Sequence, residues 1–406
     1  MIPIQVIGVG MGLDDLPAKS LRAIEQAQVL AGGRRLLDMF PQHLGQRLVL
    51  EGRLESWLGE LARLAQDQRV AVLASGDPGF FGIAQRLSER LGPEALVIHP
   101  NVTSVQAAFS RLKEPWQDAG VVSLHGRGLS GLLPALAGRE RVAVFTDPQN
   151  TPAAIARLLL ERGQDGWRLW VLEDLGGPQE RVGEYSLEQA AGAKFSPLNL
   201  VVLKRLAWPA PLHLGLPEEA YEHQAGLITK SEVRAVALAK LELGPRLTLW
   251  DLGAGCGSLG LEASLLLPGG AIVAVEREPQ RVAMIEANRR RLGVANLEVV
   301  RAELPQGLET LAGPDRVFIG GGGAALGDII KAALERLPPT GVLVVAAVRL
   351  EALETARAAL AQGGFDVEVT QVQVSRAAPL GGGSFLKALN PVWLIKGRRR
   401  APGAQA

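Results

Sequence analysis

Three glycines at alternate positions, Gly253, Gly255 and Gly257, fall in the stretch Leu249-Trp250-Asp251-Leu252-Gly253-Ala254-Gly255-Cys256-Gly257-Ser258, between a short apolar run and a segment that reads as helix. Glycine at these places lets the backbone turn tightly and lie against a ligand with no Cβ in the way. Gly255-x-Gly257-x-x-Gly260 fits the dinucleotide fingerprint, in which a pyrophosphate sits on a helix N-terminus. Asp251 argues for a different ligand, because a carboxylate at the strand end repels a pyrophosphate and attracts the amino-acid end of S-adenosylmethionine. Glu276 closes the next apolar run, Ala271-Ile272-Val273-Ala274-Val275-Glu276, where an acid can accept both ribose hydroxyls of either cofactor. Cys256 reads as a small residue that permits close approach, not as a nucleophile.

Around this loop the chain alternates between two periodicities. Thr229-Lys230-Ser231-Glu232 reads as a capping box before a helix with Val233, Val236, Ala237 and Leu241 on one face. A helix from Pro279 to Leu292, a strand from Leu297 to Glu303, and a strand Arg316-Val317-Phe318-Ile319 ending in Gly320-Gly321-Gly322-Gly323 follow. A helix over 324–337, a strand from Val342 to Val348 and a helix over 350–362 come next. Asp366 to Ser375 and Pro391 to Ile395 read as two strands of an antiparallel hairpin. This order predicts a doubly wound α/β sheet with ligands at the strand carboxyl ends. Glu303 and Arg349 stand at such ends and are the candidates for contact with substrate. Arg289-Arg290-Arg291 is expected on a solvated helix face, and Arg398-Arg399-Arg400 in a disordered tail.

The first half repeats the layout. Ile2 to Gly8 reads as a buried strand running into a second alternating turn, Gly8-Val9-Gly10-Met11-Gly12, and a helix begins at Pro17. Val70 to Ala74 stops at Ser75-Gly76-Asp77-Pro78-Gly79-Phe80-Phe81-Gly82, and Leu96-Val97-Ile98 leads to Asn101-Val102-Thr103-Ser104, hydroxyls at a helix start. Val142 to Phe145 precedes Thr146-Asp147-Pro148. Strands at 168–173 and 198–203 complete the set. His125, in Ser-Leu-His-Gly-Arg, reads as a structural loop histidine. Arg205 to Glu219 lacks periodicity and holds Pro209, Pro211 and Pro217, marking a domain boundary.

Composition narrows the class of function. At 406 residues the chain is long enough for two or three domains. Lys plus Arg (43) nearly balances Asp plus Glu (42), so the broad basic footprint of a nucleic-acid binder is missing. The single cysteine excludes an internal disulfide and a cysteine-rich metal site, and no metal is expected. No apolar run reaches the roughly 20 residues of a membrane helix, and the N-terminus reads as a strand, not a signal peptide. The expectation is a cytoplasmic enzyme without membrane contact.

Val6-Ile7-Gly8-Val9-Gly10, Ala74 to Gly82, Val121 to Arg127, Thr146-Asp147-Pro148 and Phe195-Ser196-Pro197-Leu198-Asn199 together resemble the tetrapyrrole (corrin/porphyrin) methylases of the cobalamin pathway, specifically the type that methylates precorrin at C5. The resemblance covers residues 1–205. It implies two α/β subdomains with S-adenosylmethionine in the cleft between them, contacted by Met11, Ser75, Gly76, Asp77, Phe80, Thr103 and Ser104. Met11 stands where that family usually has proline and Asn101 where it usually has glycine. Residues 225–397, through Ile228 to Arg234, Asp251 to Ser258, Phe318 to Gly322 and Pro379-Leu380-Gly381-Gly382, resemble the class I methyltransferases that methylate C15 of precorrin and decarboxylate its C12 acetate. That likeness places Thr229, Gly253, Ala254, Gly255, Cys256, Gly257, Glu276 and Ala302 around a second S-adenosylmethionine. Ala302 replaces a usual glycine and Ala346 a usual asparagine.

The pairing of these domains, joined by a linker at 206–224 and followed by a tail at 398–406, implies conversion of precorrin-6B to precorrin-8X by a homo-oligomer with two donor sites per chain. The same chemistry on a cobalt-containing ring is the alternative. A nucleic-acid methyltransferase is a further rival, but it predicts a basic face and an Asn/Asp-Pro-Pro-Phe/Tyr box where this chain has Ile-Gly-Gly-Gly-Gly. A tetrapyrrole-binding protein with one dead cofactor site is another, raised by Met11 and Asn101.

Overall fold

The computed structural model describes residues 1–399 apart from His125, Arg127 and Ala225. His125 and Arg400, named above, thus lie outside the described residues. The chain divides into two compact units, one of Met1–Leu158 with Trp167–Leu206, the other of Leu159–Gly166 with the chain from Ala207 onward. Among the described residues no helix is long and apolar enough to cross a membrane.

The first unit holds two five-stranded sheets. Strands β1 (Ile4–Gly8), β2 (Val29–Gly32), β3 (Gln46–Val49), β4 (Val70–Ala74) and β5 (Leu96–His99) pair in the order β3-β2-β4-β1-β5, all parallel. A parallel sheet is covered on both faces, so its inner strands β2 and β4 are apolar throughout instead of alternating, while the edge strand β3 opens with exposed Gln46 and Arg47. Val70 and Val72 pack with Ile4, Val6 and Trp57 on one face, while Ala71 and Leu73 pack with Ile7, Leu30 and Ile24 on the other. The second sheet, β6 (Gly120–Ser123), β7 (Arg141–Phe145), β8 (Trp167–Glu173), β9 (Arg181–Tyr185) and β10 (Asn199–Arg205), runs β6-β7-β10-β8-β9 and is mostly antiparallel.

The second unit is built on a seven-stranded sheet. Five parallel strands, β11 (Thr248–Leu252), β12 (Ala271–Glu276), β13 (Leu297–Arg301), β14 (Arg316–Ile319) and β15 (Val342–Ala347), are followed by β16 (Phe365–Val372), a two-stranded ribbon β17 (Ser375–Leu380) and β18 (Gly383–Ala388), and β19 (Val392–Arg399). The order is β13-β12-β11-β14-β15-β19-β16, with β19 antiparallel to both neighbours. Here too odd and even positions serve two cores: Leu249, Ile272 and Val344 on one side, Trp250, Val273 and Val345 on the other. The expected closing hairpin exists as β16 and β19, but the intervening ribbon is an element the sequence reading did not contain. Pro379 to Gly382 forms its tip, where Gly381 and Gly382 both take positive φ (53° and 83°), as a tight two-residue turn requires.

Three further expectations change. The 206–224 stretch is no free linker: Leu216 and Tyr221 are buried in the core of the second unit. Arg289 is only 4% exposed and paired with Glu286 at 2.6 Å, so the arginine run is not wholly solvated. Arg398 and Arg399 belong to β19, whose ladder with β15 and β16 orders what read as tail.

Two charge clusters lock the 206–224 stretch in place. Arg234 and Glu262, both fully buried, pair at 2.8 Å. Glu262 also accepts from the Tyr221 hydroxyl (3.0 Å) and the Gly215 N–H (2.8 Å), and Arg234 donates to the carbonyls of Leu216 and Thr229. In the second cluster Arg376 of β17 bridges Glu218 (2.7 Å) and Glu232 (2.6 Å), while Glu218 accepts the Ser231 N–H (2.8 Å). That last bond replaces the expected capping box, since the helix Ser231–Lys240 follows Lys230 with no side-chain cap from Thr229.

Breaking a buried ion pair from one side strands the other charge at a cost of about 3–5 kcal/mol. Arg234→Met should therefore destabilise the second unit by about that much in urea unfolding, and Arg234→Met with Glu262→Gln by clearly less, because the amide leaves no charge stranded, its oxygen accepts from the Gly215 N–H and its NH2 can donate to the Tyr221 hydroxyl oxygen. Arg376 holds the Glu218 carboxyl down at about 2 from the ordinary 4.5. A folded value below the unfolded one contributes stability that is complete above pH 4.5 and disappears as pH falls toward 2. In thermal melts across that window Glu218→Gln should lose less stability than the parent chain, although it starts from a lower midpoint at pH 7.

Candidate functional site

In the second unit the three alternate glycines all adopt left-handed backbone, with φ of 72°, 61° and 78° at Gly253, Gly255 and Gly257. Their roles differ. A Cβ on Gly253 would lie 3.1 Å from the Gly321 carbonyl oxygen, and one on Gly257 2.9 Å from Ile285, so both positions are fixed by packing. Gly255 and Gly321 have no atom within 4 Å of where a Cβ would stand. They leave open backbone at the carboxyl ends of β11 and β14, the place for a ligand in this architecture.

Hydrogen bonds hold this loop over β12. The Gly253 and Ala254 N–H groups donate to the Val275 carbonyl (2.9 and 3.1 Å), and the Gly255 N–H donates to Glu276 Oε2 (2.9 Å). Glu276 Oε1 accepts from Arg277 N–H (2.9 Å) and Glu278 N–H (3.2 Å). A carboxylate has about four acceptor sites, so roughly one remains for a ribose hydroxyl. The primary work of Glu276 is thus to shape the loop. Ala302 lies beside it, its N–H bonded to the Glu276 carbonyl at 3.2 Å.

Asp251 requires correction. Its side chain is 1% exposed and accepts the Gly260 N–H at 3.0 Å, so it anchors the start of the helix Ser258–Ala263 from below and does not reach a ligand. Burial, reinforced by the nearby Glu276, pushes its carboxyl up to about 7. Gly260 explains the geometry: its missing Cβ would sit 3.0 Å from Asp251 Oδ2 and 3.2 Å from Leu297. Burial likewise raises the Cys256 thiol, consistent with a packing role. Thr229, released from capping, is half-buried with its carbonyl held by Arg234. Glu303 and Arg349 are about three-quarters exposed, paired with Arg277 (3.6 Å) and Glu351 (3.3 Å).

In the first unit a cavity of about 1080 Å³ opens between the two sheets, and Met11, Ser75, Gly76, Asp77, Phe80, Thr103 and Ser104 all line it. Gly10 and Gly76 (φ 68° and 63°) exchange backbone hydrogen bonds, clamping the loops after β1 and β4 together. Asp77 accepts from Gly79 N–H (2.7 Å) and Asn101 N–H (3.0 Å). Asn101 donates to the carbonyls of Gly8 and Asp15, so a side chain at this position ties three loops where a glycine could not. Thr103 is engaged in a capping box with Gln106. From the second sheet come Phe145, Thr146, Asp147 and Asn199. The N–H groups of Asn150 and Gly126 hold the Asp147 carboxyl at about 2.

Sequence reasoning missed Gly321 as the partner of Gly253, although the four-glycine run after an apolar strand was a usable signal. It also missed Arg35, Phe81 and Arg86 in the cavity wall. Arginines on short helices carry no such signal.

Residues 3–191 match the model of the tetrapyrrole (corrin/porphyrin) methylases, and residues 219–397 that of the precorrin methyltransferase domain. A precorrin-6Y C(5,15)-methyltransferase (decarboxylating) from a Sinorhizobium species is 36% identical over 400 residues, spanning 95% of this chain and 94% of the relative. Its counterpart from Mycobacterium tuberculosis (strain CDC 1551 / Oshkosh) is 31% identical over 408 residues, spanning 97% and 99%. A crystal structure of a precorrin-6Y C5,15-methyltransferase from Geobacter metallireducens GS-15, 41% identical, covers 46% of this chain and 97% of its own, with a TM-score of 0.45. The full-length likeness, joined to a glycine cradle in each of two α/β units, places this chain in the family of decarboxylating precorrin-6Y C(5,15)-methyltransferases.

Proposed function

We propose that the chain converts precorrin-6B to precorrin-8X, with residues 1–205 methylating C5 and residues 225–397 methylating C15 and decarboxylating the C12 acetate. The observation that carries this division is the presence of a separate cradle, at strand carboxyl ends, in each unit. S-adenosylmethionine supplies a methyl group on sulfonium. In the first cradle Met11, Ser75, Gly76, Asp77, Phe80, Thr103 and Ser104 would hold it; in the second Thr229, Gly253 to Gly257, Glu276 and Ala302.

Displacement at a methyl group needs alignment of the carbon nucleophile with the donor and exclusion of water, which a bound macrocycle filling the cavity would provide. Methylation of an electron-rich meso carbon leaves a conjugated cation in the ring. The C–C electron pair released when the acetate departs as carbon dioxide neutralises that cation. The reading includes a cytoplasmic homo-oligomer. Leu380, Phe385 and Leu386, exposed on the β17–β18 ribbon, support self-association.

Incubation with precorrin-6B and labelled donor, followed by mass spectrometry, should show two added methyl groups and one lost carbon dioxide. Valine at Gly255 combines a β-branched left-handed residue with a blocked cradle, a cost of about 1–3 kcal/mol or about 5–150-fold in donor affinity. Gly255→Val should therefore suppress C15 methylation and decarboxylation while C5 methylation persists; concerted loss of all three would refute the division of labour. Calorimetry with S-adenosylhomocysteine should count two sites per chain, and a single site would overturn the two-donor reading.

A further inference from the structure

The wall of the first unit's cavity carries four charged side chains, Arg35, Asp77, Arg86 and Asp147, and their partners are unequal. Both carboxylates are engaged by backbone: Asp77 by Gly79 and Asn101, Asp147 by Gly126, Gln149 and Asn150. Arg35 has only the Ser75 hydroxyl at 3.3 Å, with no carboxylate within ion-pair distance among the described residues. Arg86 has one long pair, 3.8 Å from Glu89, with both side chains mostly exposed, and such a pair contributes little. What the cavity offers an incoming molecule is two planar guanidinium forks, suited to carboxylates.

Beside them stands Phe81. It holds left-handed backbone (φ 53°) that a bulky residue rarely adopts, and it remains 55% exposed. Its ring meets Phe80 edge-on at 5.1 Å and tilts against Phe145 at 5.6 Å. The turn is fixed from below, because a Cβ on Gly82 would fall 2.3 Å from the Pro78 carbonyl. Strain that keeps an aromatic face toward a cavity points to a flat apolar ligand.

Resting on the reading of this cavity as a tetrapyrrole site, we propose that Arg35 and Arg86 bind peripheral carboxylates of the macrocycle and that Phe81 packs against its ring. The methyl donor is the wrong charge for these forks: its sulfonium and ammonium outweigh its single carboxylate.

Steady-state C5 methylation by the full chain tests this. Arg35→Gln with Arg86→Gln should raise KM for the tetrapyrrole by about tenfold, with a much smaller effect on kcat and none on KM for the donor; lysines at both positions should fall between. The parent's KM should climb with ionic strength, and the double variant's should climb less. Phe81→Leu should raise the tetrapyrrole KM by about threefold regardless of salt. An unchanged tetrapyrrole KM in the double variant, or a rise confined to the donor, overturns the assignment while leaving the reading of the cavity intact. Absence of C5 methylation by the parent chain overturns both.

Discussion

Backbone must approach backbone where the loops after β11 and β14 meet. The Gly253 carbonyl oxygen lies 3.2 Å from where Gly320 would carry a Cβ, and Gly253 itself stands as close to Gly321. A Cβ at either place would press tighter than ordinary packing allows, so the loop that carries Gly255 would have to shift by a few tenths of an ångström. The first unit meets the same problem at Gly8, where a Cβ would fall 2.5 Å from the Gly76 carbonyl oxygen. Both sites therefore depend on a repulsive constraint, the volume of one methyl group, more than on any attractive contact.

The acids around these loops follow from that constraint. Tightly turned backbone exposes N–H groups that helices and strands cannot satisfy, and a buried donor left unpaired is costly. Asp77, Asp147, Asp251, Glu218 and Glu276 each accept such donors. What looks in the sequence like a set of ligand-binding carboxylates is largely a scaffold that fixes loop shape. The surfaces left for ligands are the open glycine backbone and the cationic, aromatic wall of the cavity.

This distinction marks how far the sequence could be read. Strands buried on both faces appear as unbroken apolar runs, so Val70 to Ala74 and Ala271 to Val275 were legible, as were the glycine turns that end the strands. The destination of a carboxylate was not, because Asp251 pointing up to a ligand or down to Gly260 has the same sequence. The Thr229 capping box failed for a related reason: Glu218, distant in sequence, reaches the helix start first. The β17–β18 ribbon was missed because β18 is exposed throughout and β17 half-buries only Arg376 and Ala378, so neither strand shows the hydrophobic period a core would impose. Arg35 and Arg86 become informative only when the cavity shows that the acids beside them are already engaged.

The order of strands in the second sheet has a consequence for biosynthesis. β19 follows β16 in the chain yet lies between β15 and β16, so β16 finds no partner until Val392–Arg399 have been made. A nascent chain released from the ribosome up to the ribbon would present β15 with a bare edge and β16 as an unpaired strand, the kind of surface that templates aggregation. Synthesis that stalls late in this gene product should thus be more hazardous to the cell than synthesis that stalls after the first unit, all of whose sheet strands have been made by Arg205.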